Sequence, residues 1–331
     1  MSTTNKVLII VGSVMLVCLI AAGIIIGTSY SKIGSNGWFG IFSSQSSNIE
    51  ESAELDLSGI DTVNVECVSG KIVMAPGEPG ANLTGSIFTS NPKEKYLSVK
   101  KDGDTLTVKF DADVIFPQTI SADVTLSVGL PADAAVNLNI SGASANTDLN
   151  GFNSLKDVRI DSASGAAHVK DCKGDQLFIN LTSGLVDVNG IDFGSVDTGC
   201  VSGDINLSGI SGSANVTSTS GTVRVSNVLG EVSVNSTSGS VYVTQEQESL
   251  KGMHIGVTSG GIDVKLNPKA AFELRANSTS GGVSTDFDVT VSGSASNSFV
   301  GDNLSGKVNG GGSLLDLNTT SGGIRISKIS E

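Results

Sequence analysis

The sequence predicts an all-β protein: a parallel β-helix or β-solenoid with coils of about 18–21 residues, preceded by one N-terminal transmembrane helix. Three observations predict it. The dipeptide Ser-Gly returns at near-regular intervals from residue 164 onward. Apolar and polar residues alternate on both sides of each pair. An uncharged apolar run stands near the N terminus.

The repeat comes first, because a fixed period is the signature of stacked supersecondary units. Ser-Gly occurs at Ser164, Ser183, Ser202, Ser220, Ser238, Ser259, Ser280 and Ser321, with Ser305-Gly306 inside the last, doubled interval. Aligned on those serines, apolar or small residues stand six, four and two places before the Ser and three and five places after it. Around Ser220 these are Ala214, Val216, Ser218, Val223 and Val225; around Ser321 they are Leu315, Leu317, Thr319, Ile324 and Ile326. A spacing of two marks a strand with one buried face. The phase breaks once, at the Gly, which reaches a corner conformation closed to other residues. Each repeat is therefore strand, Ser-Gly corner, strand and return turn. One repeat cannot bury its own apolar face, whereas stacked repeats form a continuous core. The expected core ladder runs through Val188, Leu207, Val225, Val243, Val264 and Ile326. The corner serines are expected to bond backbone groups of the bend. A nucleophilic role needs a base within hydrogen-bond reach, and no base recurs with them.

Val7 to Ile26 holds no charge. At about 1.5 Å rise per residue such a run crosses a hydrocarbon core of roughly 30 Å. It is longer than a secretory h-region, and no A-x-A cleavage site follows it, which favours an uncleaved anchor. The predicted organisation is a short cytoplasmic tail over 1–6, a transmembrane helix over 7–28 and a juxtamembrane linker over 29–52. An irregular β entry or capping region over 53–135 and regular solenoid repeats over 136–331 complete it. Trp38, Phe39 and Phe42 suit the headgroup level. Val63, Val65, Cys67, Ser69, Ile72 and Met74 match the repeat once within the entry region. Around Ser141 the alternation is out of phase with its Ser-Gly, which reads as a bulge or a seam.

Composition narrows the function. A net charge of −13 argues against nucleic acid as a partner. Cys67, Cys172 and Cys200 lack the spacing of a zinc site, a redox motif or a disulfide framework; Cys67 and Cys200 read as small buried thiols. No G-G-x-G-x-D calcium repeat is present, and no cofactor or metal site is expected. His168 and His254 fall on the polar phase and read as surface residues. Asn180, Asn235, Asn277 and Asn318 stand three places before the repeat Ser, as sequons or as an asparagine ladder.

Three stretches carry a family resemblance: LSGIDTVNVECVSGKIVM, VTLSVGLPADAAVNLNISGASANTDLNG and NGGGSLLDLNTTSGGIRISK. With the TSG-x-V-x-V repeats between them, the chain resembles the prokaryotic putative-adhesin β-solenoid domains over about residues 55–328. That resemblance implies a β-helix-like fold and an envelope location, and it offers no established catalytic residues to carry over. The combined expectation is a non-enzymatic, single-pass cell-membrane protein. Residues 7–28 lie in the bilayer, and an extracytoplasmic domain meets a surface ligand, glycan or protein. One alternative is an envelope-stress or scaffold component acting through membrane partners. Another is a carbohydrate-active β-helix enzyme, which needs clustered acids. Here Asp187, Asp204, Asp263 and Asp286 fall in separate coils, although Asp204 and Asp263 both lie near a corner.

Overall fold

A computed structural model describes residues 45–89, 93–112, 121–291 and 303–330. The expected tail, transmembrane helix and aromatic flank lie outside these residues. No helix among the described residues is long and apolar enough to cross a membrane. All twenty elements of the described chain are strands. They form two compact units, Met1–His168 and Val169–Glu331.

The N-terminal unit is built around β2 (Thr62–Pro76), whose side chains alternate between buried and partly exposed up to the corner and again after it. On one side β2 pairs in parallel first with β5 (Thr105–Phe110) and then with β6 (Ser121–Leu130). On the other side it pairs along its length with β7 (Asn137–Asn150). The earliest coil in the sequence is thus flanked by two later ones. Antiparallel strands line the outer layer: β4 (Leu97–Asp102) on β5, β3 (Gly80–Thr89) on β6, and β1 (Gln45–Glu54) on β3. The final strand of this unit, β8 (Leu155–Lys170), bonds back to β7's lead-in through Lys156 N and Val136 O at 3.0 Å. The stretch expected to be an irregular entry therefore holds in-register coil strands as well as covering hairpins.

The same register removes the apparent slip at Ser141. Ser69 lies opposite Ser144 and Gly70 opposite Ala145, while Ser141 lies opposite Glu66. The corner is Ser144-Ala145, and Ser141-Gly142 is a Ser-Gly pair inside the preceding strand. Leu138, Ile140, Thr147 and Leu149 are all buried, so the alternation is continuous about the true corner. The buried face, not the dipeptide, sets the register, because a one-residue shift would turn the whole apolar set to solvent.

In the C-terminal unit, β9 (Lys173–Ile210) carries two successive coils. Five more follow in pairs of strands before and after each corner. They are β10 (Ser213–Ser220) with β11 (Val223–Val228), and β12 (Val232–Ser238) with β13 (Val241–Gln245). Next come β14 (Met253–Ser259) with β15 (Ile262–Leu266), and β16 (Phe272–Ser280) with β17 (Val283–Thr285). After β18 (Asn303–Val308), the last pair is β19 (Ser313–Ser321) with β20 (Ile324–Lys328).

All coil-to-coil pairings here are parallel, but their order is not that of the sequence. β14 pairs with β19, and β19 pairs with β16. Likewise β15 pairs with β20, and β20 with β17. The coil of Ser321 is thus inserted between those of Ser259 and Ser280. Burial explains the choice. Ile324 and Ile326 are at most 1% exposed in the interior layer, whereas Val283 and Thr285, in the outer layer, remain half-exposed. The more apolar pair occupies the position with neighbours on both sides. β18 then runs antiparallel along the free edge of β16. An outer strand that is covered presents no unpaired ladder there.

Candidate functional site

The corner column of the C-terminal unit is set by its glycines. Gly203, Gly221, Gly239, Gly260, Gly322 and Gly281 all have φ between +120° and +153°. A Cβ on any of them would overlap the carbonyl oxygen of the glycine one layer away: Gly184, Gly203, Gly221, Gly239, Gly260 and Gly322 respectively. Both backbone conformation and close approach therefore exclude a side chain. The corner serines pair in register, Ser202 with Ser220, Ser220 with Ser238, Ser238 with Ser259, Ser259 with Ser321 and Ser321 with Ser280. Their side chains, with those of Ser164 and Ser183, face solvent.

At several corners the group that satisfies the bend stands two places earlier. Thr319 Oγ1 donates to Gly260 O at 3.1 Å and Ser278 Oγ to Gly322 O at 2.9 Å. Ser162 Oγ donates to Ser164 O at 2.8 Å, and the Cys67 thiol to Ser69 O at 3.1 Å. The hydroxyls assigned to this task from the sequence were one alternation too far along. A thiol or hydroxyl at this position can meet a carbonyl of the bend, whereas the coils of Ser183 and Ser259 bury Leu181 and Val257 there, and Ser236 Oγ is buried without a hydrogen-bond partner among the described residues. Burial pushes the Cys67 thiol up to about 11 and raises the Cys200 thiol too.

The ladder residues Leu207, Val225, Val243, Val264 and Ile326 stand in one register, each at most 2% exposed. Val188, in the first coil of β9, is buried as well. Among the described residues, no three of His, Cys, Asp or Glu group as a metal site. Asp204 and Asp263 do not meet, since the coils of Ser220 and Ser238 lie between theirs. Asp204 Oδ1 instead accepts from Thr222 N at 2.9 Å, and Oδ2 lies 3.8 Å from the Arg224 guanidinium. Asp286 is exposed. His254 stands on the outward face, Nε2 3.5 Å from Glu231 and Nδ1 3.7 Å from Asp316, and His168 is half-buried. Asn277 Nδ2 donates to Asn318 Oδ1 at 2.9 Å, so two of the expected ladder asparagines touch although 41 residues separate them.

The outward row after the corner is chemically distinct. In register it reads Asn206, Arg224, Tyr242, Asp263, Arg325 and Ser284. The Arg224 guanidinium lies 5.8 Å from the centroid of the Tyr242 ring, within cation–π range. Beyond Tyr242 an open trough of about 530 Å³ is walled by Tyr242, Asp263 and Arg325, with Gly261, Gly323 and Gly282 along it. The row was visible in the sequence only as outward positions, because it depends on which coil lies beside which.

A mostly parallel, solenoid-like set of strands defines the class: a repetitive β domain. The chain belongs to the Toastrack DUF4097 family, whose model matches residues 60–327. No curated protein matches it significantly. Among solved structures it is similar to a putative adhesin from Bacteroides fragilis, at 12% identity over 86% of this chain and 97% of that one, with a TM-score of 0.43. It is also similar to a putative lipid binding protein from Parabacteroides distasonis, at 14% identity over 85% and 97%, with a TM-score of 0.36. A third is a putative cell adhesion protein from Clostridium sporogenes, at 11% identity over 86% and 100%, with a TM-score of 0.20.

Proposed function

We propose that this protein is a non-catalytic surface-interaction module with parallel β-solenoid coils. In this reading residues 7–28 anchor it in the cell membrane and hold its β domain outside the cytoplasm. The supporting observation is the in-register outward rows of the C-terminal unit. Parallel pairing places successive side chains of a row about 4.8 Å apart on a fixed backbone, a spacing suited to a repetitive ligand. Asp204 and Asp263, the two acids near a corner, are held apart by two intervening coils, which supports binding rather than catalysis. The uncharged run Val7 to Ile26 supports the anchor.

Deletion of the coding sequence, with complementation by the intact chain, tests the reading in an attachment assay on host cells and extracellular matrix. Attachment is expected to fall on deletion and return on complementation. Protease treatment of whole cells is expected to remove the β domain and leave the anchor. Unchanged attachment on every surface, or a protected β domain, overturns the proposal.

A further inference from the structure

We infer that the trough beside Tyr242 is a saccharide-binding site, which accepts a pyranose unit against the tyrosine ring with Asp263 and Arg325 reaching its hydroxyls. This deepens the surface-interaction reading and rests on it.

The first observation is the set of glycines the fold does not require. Three coils read Ser-Gly-Gly at the corner, those of Ser259, Ser280 and Ser321; the other Ser-Gly corners carry Lys71, Ala166, Leu185, Asp204, Thr222 or Ser240 at the second position. The first glycine of each triplet is sterically obligatory. The second is not. A Cβ on Gly261 or Gly323 would meet its nearest atom at 3.6 Å, and one on Gly282 would meet nothing within 4 Å. None of the three has the positive φ that excludes side chains. Because the Ser321 coil is inserted between the other two, these three glycines lie side by side. They clear a floor of bare backbone where neighbouring layers carry side chains.

The second observation is the chemistry around that floor. Tyr242 is 44% exposed and presents its ring on the outward face. Arg224, which is not a wall of the trough, covers one side of its ring. Asp263 is in register with Tyr242 one layer on, away from Arg224. Asp263 Oδ1 is buried and accepts no hydrogen bond. Turning the carboxylate about its soft χ2 torsion presents it to a donor. Arg325, one layer on, forms no ion pair among the described residues, and its fork of donors points to hydroxyl or carboxylate acceptors. An apolar ring face, an acceptor short of donors and an exposed guanidinium are complementary to a sugar. Its C–H face stacks on an aromatic ring, and its hydroxyls both donate and accept.

The test uses the full chain in phospholipid nanodiscs, free of sugar-headed detergent. Cellotetraose, chitotetraose and tetragalacturonate are the probes, and saturation-transfer NMR is the readout. At least one probe is expected to take up saturation, with Arg325 favouring the uronate. Tyr242→Ala is expected to weaken that binding by about tenfold, corresponding to roughly 1.4 kcal/mol. The double variant Gly261→Thr, Gly323→Thr fills the floor with the residue already present at Thr222 and is expected to abolish it. Unfolding profiles that match the wild type confirm that these variants fold. No transfer to any probe, or transfer indifferent to both variants, overturns the site. If surface attachment of cells is lost on deletion but survives in both variants, the trough is wrong and the surface-interaction reading stands.

Discussion

Gly260 and Gly261 are neighbours in one corner, yet a methyl group should have opposite effects on them. At Gly260 φ is +146°, and a Cβ would fall on the Gly239 carbonyl oxygen of the adjacent layer. Holding a side chain in a sparsely populated backbone region costs about 1–3 kcal/mol. Displacing packed backbone to admit an extra carbon costs about 1–3 kcal/mol more. Gly260→Ala should therefore destabilise the protein by about 2–6 kcal/mol. For a domain of this size that is a fall in Tm of roughly 5–20 °C. At Gly261 the nearest atom to a Cβ is Gly323 O at 3.6 Å, and φ is not positive. Gly261→Ala should be neutral or stabilise by about 0.4–1 kcal/mol through the unfolded chain. Thermal and urea unfolding of both variants, followed by far-UV circular dichroism, measures the difference. Equal shifts, or a Gly260→Ala variant within about 0.5 kcal/mol of wild type, would refute the stacked-carbonyl account of the corner.

Three further outcomes are expected. Gln245 is 2% exposed, and its Oε1 accepts from Val228 N at 3.0 Å. Gln245→Ala orphans that amide and should cost about 1–3 kcal/mol in urea unfolding. Leu317 lies between Ile255 and Ala276 on the inserted coil. Leu317→Ala should cost about 2–5 kcal/mol. A double-mutant cycle with Ile255→Ala should show a coupling of about 0.5–3 kcal/mol; additive effects would contradict the inserted order. The Cys67 thiol, pushed from 9.0 to about 11 by burial, binds its proton more tightly in the folded state. As pH rises above 9 the unfolded chain loses that proton first, so stability falls from pH 9 to 11. Cys67→Ala should remove this part of the slope.

The apolar alternation and the Ser-Gly corners were legible because both are local. A period of two and a residue confined to one bend conformation appear directly in the letters. Coil order was not legible. Every coil has the same phase, so Leu317 fits over Ile255 as well as Ala276 would, and periodicity cannot choose between them. The choice came from the end effect at Val283 and Thr285, whose weaker apolar character suits an outer layer. The corner at Ser144 was hidden by the Ser141-Gly142 pair, a Ser-Gly without a corner beside a corner without a glycine. The trough followed the same logic. Its three Ser-Gly-Gly triplets were plain in the sequence, but their adjacency depended on the insertion.

Insertion of the Ser321 coil also bears on biogenesis and on how such a chain can change over evolutionary time. During synthesis, residues 253–285 emerge before residues 313–328, so the Ser259 and Ser280 coils cannot complete their ladder when they appear. They must await a keystone that arrives later. The arrangement also makes the final repeat a poor site for growth by tandem duplication, since a copy added after it would have to enter an occupied slot. New coils are more easily gained between Ser183 and Ser259, where neighbours in sequence are neighbours in space.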